Sequence, residues 1–196
     1  MGQRSQIYVR YNKKLVVTNY YQWNYGERMV SRARYGIEYI KEKYIEYRTW
    51  IFNDESNIEK LRRIFDVNFD MKDIVMSIDI IKEWKEQFSE DENFNNYVFK
   101  LQDNNDGKLF VDISEYGTIK YAFLDCECNT DHIMNATQYM DWNSEEWEKS
   151  EYISEEGKQS CKENLGKIEE MAVLMTKSEL EDFINNDYGM DKLPFW

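Results

Sequence analysis

The N-terminal stretch of residues 3–35 is the most strongly patterned part of this sequence and places the tightest limit on the fold. Apolar and polar side chains alternate along its first part, with Ile7, Val9 and Tyr11 on one side and Gln6, Tyr8 and Arg10 on the other. A period of two predicts a β-strand with one buried face. Residues 15–21 (LVVTNYY) are β-branched and aromatic and predict a second strand. Because only the polar break at residues 12–14 (NKK) separates the two strands, we expect a hairpin.

A long helix is predicted directly after this hairpin, beyond the break at residues 24–26 (NYG). Its apolar residues recur at spacings of three, four or seven and form one stripe: Met29, Ala33, Ile37, Ile40, Tyr44 and Ile51. The same geometry places a second set along another face: Arg28, Arg32, Tyr35 and Tyr39. We therefore expect the stripe to pack on the sheet.

The middle of the chain carries a second group of strand signals. A short helix is predicted at 57–66, and a helix is favoured over a strand for the ambiguous window 71–88. Three strand-like runs follow, at 97–101, 109–113 and 119–124. Turn signals separate them, with NDG at 105–107 and EYGT at 115–118. This spacing predicts a three-stranded antiparallel meander.

The last third of the chain is patterned as helices. These are expected at 131–142, 158–174 and 176–184, the last opened by a capping box of Thr176 and Glu179. We predict an α+β fold in which the hairpin and the meander form one antiparallel sheet with helices on one face. Residues 1–196 are expected to form a single domain, and residues 130–196 could alternatively be a helical appendage.

Charge is distributed very unevenly along the sequence. Residues 1–50 hold ten Lys and Arg and four Asp and Glu, a balance of +6, while residues 51–196 hold fifteen and thirty-four, a balance of −19. A strongly acidic surface repels nucleic acid and attracts basic partners. The charge therefore argues against direct nucleic-acid binding and favours a protein or nucleoprotein partner.

The cellular setting is suggested by cysteine usage and by hydropathy. The three cysteines show no spacing typical of a disulfide framework, which indicates a reducing cytoplasm. The sequence has no apolar run of bilayer length and no signal-peptide core, so we expect no membrane partner.

Two short motifs near the N-terminus resemble a known group of proteins. The chain opens with MGQRS at residues 1–5 and reaches YQWNYG at residues 21–26. It resembles small phage and prophage proteins that open Met-Gly-x-Arg-Ser and carry a Gln/His-Trp-Asp-Gly-Tyr-Pro box before a helix. The chain has Asn24 where that box commonly has Asp, and it lacks the Pro. The resemblance covers about the first fifth of the chain and implies an origin in a mobile element, without implying an activity.

A ligand site is predicted at the corner where the hairpin meets the helix, here called the N-terminal corner. Its residues come from the start of the first strand, the end of the second and the first helical turn: Arg4, Ser5, Gln22, Trp23, Asn24 and Arg28. The two strand ends of a hairpin are neighbours, and a helix N-terminus favours an anion. These groups could bind a nucleotide or a phosphate, or they could simply cap the ends of the elements.

Metal and cofactor sites have little support in the sequence. Cys126, Cys128, His132 and Cys161 have the chemistry of zinc ligands but not a standard spacing, and buried structural thiols are the alternative. The loop at 103–107 (DNNDG) departs from a calcium-binding loop and is better explained as a turn. No phosphate-binding glycine motif or nucleophile elbow is present. We expect no cofactor and favour a binding protein over an enzyme.

A glutamate-rich run at residues 144–156 is the second candidate site. Its predicted partner contacts are Trp142, Glu145, Glu146, Trp147 and Glu148, with the two tryptophans as anchors. The run is either a solvated face or an imitation of a phosphate backbone that enters a basic groove.

The sequence thus favours a phage or prophage accessory protein that binds and inhibits a host nucleic-acid-handling or defence complex, as anti-CRISPR proteins do. The alternative is a nucleotide- or phosphate-binding protein, or an enzyme, that uses the N-terminal corner. The opposite charges of the two ends would also suit head-to-tail association into a homodimer.

Overall fold

The computed structural model describes residues 4–22, 26–47, 74–75, 105–114 and 116–185. Its strands are β1 (Arg4–Tyr11), β2 (Lys14–Gln22), β3 (Ile74–Val75), β4 (Lys108–Ile113), β5 (Ile119–Leu124) and β6 (Val173–Leu174). Its helices are α1 (Glu27–Tyr47), α2 (Ala136–Asn143), α3 (Glu155–Met171) and α4 (Lys177–Asn185), with 3₁₀ turns at Thr130–His132 and Trp147–Lys149. The strands form one mixed sheet in the order β3-β2-β1-β4-β5-β6.

The N-terminal hairpin forms as the sequence predicts. β1 and β2 pair antiparallel from Arg4 opposite Gln22 to Tyr11 opposite Lys14. Asn12 and Lys13 make the turn with φ values of 43° and 64°. Two consecutive residues with positive φ are typical of the tight turns that match the twist of a hairpin.

The predicted α+β class is confirmed, but the expectation of a purely antiparallel sheet is wrong. β1 pairs in parallel with β4, with Ile7 opposite Leu109 and Val9 opposite Val111. β5 and β6 also pair in parallel. The two hairpins therefore join through their first strands, which run in the same direction. The predicted strand at 97–101 lies outside the described residues, while the β4–β5 hairpin is confirmed.

Both faces of the sheet are covered, rather than one. α1, α2 and α3 pack on the face that carries Val9, Val111 and Phe123. α4 packs on the opposite face through Phe183, which contacts Phe110 edge-on at 5.2 Å between ring centroids. The alternation in β1 therefore separates two buried faces.

Burial on both faces corrects the predicted role of the polar set in β1. Gln6, Tyr8 and Arg10 are 2%, 1% and 2% exposed, because α4 and its neighbours cover their side of the sheet. Polar groups buried in this way need partners, since leaving them unsatisfied is costly. Arg10 obtains them from Asp112 on β4 and Asp182 on α4.

Helix α1 confirms the apolar stripe over the part whose side chains are described. Met29, Ala33, Ile37 and Ile40 are buried in the core, while the side chain of Tyr44 and all of Ile51 lie outside the described residues. Arg32, predicted on a second face, is also buried, and its guanidinium carbon lies 4.4 Å from the centroid of the Tyr21 ring. A cation above an aromatic face is a favourable contact and contributes to accommodating this charge.

The helices after β5 differ from the predicted ones at their boundaries. Met134 pairs with Phe123 in an isolated bridge, and Asn135 caps α2 through a capping box with Gln138, so the predicted helix at 131–142 is interrupted. The helix predicted to reach residue 174 ends at Met171, because Val173 and Leu174 join the sheet as β6. The capping box at Thr176 is confirmed by bonds in both directions with Glu179.

The prediction of a helix at residues 71–88 is wrong at the two residues of this window that the structure describes. Ile74 and Val75 form β3 and pair with Gln22 and Tyr21 of β2. Both residues are β-branched and fit an extended strand. The predicted helix at 57–66 lies outside the described residues.

A substitution at Gly107 tests how tightly the chain is packed at the start of the β4–β5 hairpin. It precedes β4 with a φ of +87°, and a Cβ added there would lie 2.6 Å from the backbone oxygen of Leu124. We expect Gly107→Ala to lower the free energy of unfolding by about 2 kcal/mol, because the left-handed conformation alone costs an L-residue roughly 1–2 kcal/mol. Urea unfolding followed by circular dichroism measures the change.

Gly166→Ala is the matched control. Gly166 is exposed within α3, and apart from its chain neighbours and the backbone of its own helix, no atom lies within 4 Å of the Cβ that the substitution would add. Alanine is preferred over glycine in a helix interior, so we expect a gain of about 0.5–1 kcal/mol. Equal changes in the same direction for both variants would contradict the packing described for Gly107.

Candidate functional site

The acidic segment, residues 144–156, is held to the protein core by Trp147. This indole is 3% exposed and belongs to the core cluster beneath α1 and α3. The 3₁₀ turn around it is closed by three backbone bonds: from Trp147 N–H to Ser144 and from Ser150 N–H to Trp147, both 3.1 Å between nitrogen and oxygen, and from Lys149 N–H to Glu146 at 2.7 Å. Trp147 is therefore an anchor and is not itself available to a partner.

The far end of the acidic segment is fixed by a second contact with the core. Ile153 packs against the same cluster. Ser154 then caps α3, accepting a hydrogen bond of 3.1 Å from the Gly157 N–H. An N-cap of this type stabilises the helix start by about 1 kcal/mol. The segment is thus fixed at both ends.

Between and beside these anchors the glutamates face solvent. All six are exposed: Glu145, Glu146, Glu148, Glu151, Glu155 and Glu156. Their carboxylates are displayed on backbone whose position is set by buried residues. The segment therefore presents exposed carboxylates on backbone that is fixed by Trp147 and Ile153.

Ion pairs with lysines orient several of these carboxylates. Glu146 pairs with Lys149 at 2.7 Å and Glu148 pairs with Lys162 at 3.2 Å. Glu155 pairs with Lys158 at 2.7 Å, and the hydrogen bond from Lys158 lowers the pKa of Glu155. Residues 141–185 nevertheless hold thirteen acidic and five basic residues, a balance of −8. The surface around the acidic segment therefore stays strongly negative.

Trp142 lies just before the acidic segment, near the end of α2. It is 40% exposed, and its ring is tilted against the buried ring of Tyr139 with 5.9 Å between centroids. It is the predicted anchor that remains accessible to a partner.

The N-terminal corner is only partly described. Arg4 lies directly opposite Gln22, so the two ends of the hairpin are neighbours as expected, and Arg28 lies in the first turn of α1. Ser5 is fully buried. The side chain of Gln22 and all of Trp23 and Asn24 lie outside the described residues, so the ligand site there stays a prediction.

A carboxylate that the sequence reasoning missed lies beside this corner. Asp106 accepts a hydrogen bond from the Arg4 backbone N–H and one of 3.4 Å from the Asn143 side chain. Burial raises the pKa of Asp106, and the bond from Arg4 opposes that rise. Negative charge at this position weakens the case for an anion bound at the corner.

The four residues considered as zinc ligands do not converge. Cys128 belongs to the cluster on the α4 face of the sheet, whereas Cys161 lies on α3 in the cluster of the other face. His132 is exposed, 3.6 Å from a carboxylate oxygen of Asp125. Across the described ranges, no three His, Cys, Asp or Glu side chains are grouped so that they could hold a metal ion.

A cleft of about 580 Å³, here called the strand-end cleft, opens where β1 and β4 end. Arg10 lies at its base, 3% exposed. It forms two bonds to Asp112, of 2.9 and 2.7 Å, and a 3.0 Å ion pair with Asp182. Phe183 covers the guanidinium, whose carbon lies 4.6 Å from the ring centroid. The sequence signal for this cleft was a charged residue in the alternating pattern of β1, but its partners are more than a hundred residues away.

Two turns and the start of α4 form the rim of the strand-end cleft. The β1–β2 turn contributes Asn12 and Lys13, and the β4–β5 turn contributes Tyr116 and Thr118. From α4 come Ser178 and Glu179, the latter paired with Lys120 of β5.

Comparison with known proteins gives no family for this chain. No protein-family model matches the sequence, and no curated protein or solved structure is significantly similar to it. Among the helices of the described residues, none combines the length and the hydropathy needed to cross a bilayer.

Thiol reactivity tests the placement of the cysteines. Cys161 is 1% exposed, and burial, with a smaller contribution from Glu27, raises its pKa to about 12. At pH 8 its thiolate is therefore scarce as well as inaccessible. We expect a maleimide to label the partly exposed Cys126 at least tenfold faster than Cys161 in the folded protein, as measured by peptide mass spectrometry.

All three cysteines should react in denaturant at comparable rates. Addition of Zn²⁺ should leave the labelling of Cys161 in the folded protein unchanged. Fast labelling of Cys161 that zinc suppresses would show that the thiol is reached by solvent and by metal, against the structure.

Proposed function

We propose that this protein is an interaction protein whose acidic segment enters a basic, nucleic-acid-binding groove on a partner and blocks it. The observation that carries the proposal is the burial of Trp147 between exposed glutamates. It fixes the backbone that carries the carboxylates, so binding a partner need not order that backbone first. Preorganised charge gains affinity because it avoids that entropic cost.

Electrostatics support a basic partner. The acidic segment and α3 lie within a region of net charge −8, and complementary charge accelerates association as well as favouring it. A groove that binds phosphates is lined by Lys and Arg, so it offers the required complement. The ion pairs with Lys149, Lys158 and Lys162 position carboxylates without cancelling the overall charge.

In its fuller form, the proposal is a phage or prophage accessory protein that acts in the host cytoplasm on a nucleic-acid-handling or defence complex. The resemblance of residues 1–5 and 21–26 to small phage proteins supports that setting. A nucleotide or phosphate ligand at the N-terminal corner is less well supported, since the partly buried carboxylate of Asp106 lies beside it.

Competition with nucleic acid tests this function. Host proteins are loaded on immobilised duplex DNA or RNA, and the purified protein is applied as eluent. We expect it to release a defined subset of the bound proteins. The triple variant Glu145→Lys, Glu146→Lys and Glu148→Lys should need at least tenfold higher concentration, because it removes the charge complement.

The matched control changes net charge equally but elsewhere. Glu42, Glu127 and Asp131 are exposed and lie outside residues 141–185, and the variant in which all three are replaced by Lys should elute as the unchanged protein does. Circular dichroism establishes that both triple variants remain folded. If both triple variants elute host proteins equally poorly, net charge alone determines the effect. If the variant of Glu145, Glu146 and Glu148 elutes them as well as the unchanged protein does, the proposal is refuted.

A further inference from the structure

We propose that the strand-end cleft is a second, independent binding site, and that its ligand is a neutral polyhydroxylated molecule such as a sugar unit. The cleft has a volume of about 580 Å³, within the range of small-molecule pockets. It opens beyond the carboxyl ends of two adjacent parallel strands, a position where ligand clefts recur in open sheets.

The charges that line the strand-end cleft are balanced. Among the described residues that line it, three cations face three carboxylates: Arg10, Lys13 and Lys120 against Asp112, Glu179 and Asp182. Arg10 is paired with both aspartates, and Lys120 is paired with Glu179. A charged ligand that binds Arg10 or Lys120 would have to compete with one of these pairs, which is most costly for the largely buried pair of Arg10 and Asp112.

A ligand hydroxyl group can bind without separating any of these ion pairs. A hydroxyl donates one hydrogen bond and accepts others, so it can bond carboxylates and ammonium groups without separating them. Each carboxylate has about four acceptor positions. The pairs of Asp112 and Asp182 with Arg10 occupy only some of these, which leaves capacity for ligand donors.

The rim adds neutral polar groups and one aromatic ring. Asn12, Thr118 and Ser178 supply an amide and two hydroxyls at the exposed rim. Tyr116 is 82% exposed at the same rim. An exposed aromatic face beside a polar cleft suits a ligand with one apolar C–H face and several hydroxyls, which is the character of a pyranose.

The walls of the strand-end cleft are fixed by backbone bonds. In the β4–β5 turn, Gly117 has a φ of +80° and donates a 2.9 Å bond to Ser114, while Ser114 donates a 3.0 Å bond to Thr118. The capping box of Thr176 and Glu179 fixes the start of α4. The site is therefore formed before a ligand arrives, which favours binding.

Saturation-transfer NMR with the full chain tests this site. The probes are glucose, galactose, mannose and N-acetylglucosamine, singly and as β-linked disaccharides. We expect at least one to bind with a dissociation constant of about 1 mM or tighter. Tyr116→Ala should weaken that binding at least fivefold, whereas Tyr152→Ala, at a fully exposed tyrosine outside the cleft, should not change it.

A charge variant tests the class of ligand. Asp182→Asn keeps the shape of the side chain and leaves the 3.4 Å bond from Arg10 to the backbone oxygen of residue 182 in place. It gives the cleft a net positive charge, so sugar binding should weaken while inorganic phosphate begins to bind.

Two results would overturn the inference. One is the absence of binding by every sugar probe at 10 mM. The other is tighter binding of inorganic phosphate or AMP than of any sugar by the unchanged protein, with sensitivity to Tyr116→Ala. The triple variant of Glu145, Glu146 and Glu148 should bind the sugar normally, which separates this site from the acidic segment.

Discussion

The parallel pairing of β1 with β4 is the constraint on which the rest of the structure depends. It places β1 inside the sheet with a neighbour on each side and a covered face above and below. In this register Arg10 lies directly opposite Asp112. A shift by one residue would move Arg10 to the face of Val9 and Val111, where it would meet an apolar cluster. The buried ion pair therefore reinforces the register that the apolar pattern of β1 and β4 also favours.

Local pattern explains which elements the sequence could predict. The β1–β2 turn, both hairpins, the apolar stripe of α1 and the capping box at Thr176 each depend on residues close together in the chain. The parallel contact joins residues about a hundred positions apart, and nothing within either strand encodes its partner. For the same reason the sequence could not show that Tyr8 and Arg10 would be covered, because α4 supplies that cover from the other end of the chain.

The candidate sites differ in the same way in how far the sequence could predict them. Exposure of the glutamates at 144–156 follows from composition, and an anchoring role for Trp147 could be inferred from its apolar character within an acidic run. The strand-end cleft could not be inferred, since it gathers side chains from two turns, β5 and α4. The sequence also could not predict the separation of Cys128 from Cys161, because it depends on which face of the sheet each element covers.

Solvation explains why charge is arranged so differently at the two surfaces. At the base of the strand-end cleft, Arg10 is removed from water, and carboxylates of β4 and α4 offset the cost of burying its charge. On the acidic segment, water solvates each carboxylate, so excess negative charge can persist at little cost to stability. The acidic segment therefore keeps a net negative charge, whereas the charged side chains of the described residues that line the cleft balance. The two proposed recognition surfaces therefore differ in chemistry, and each is built from its own set of residues.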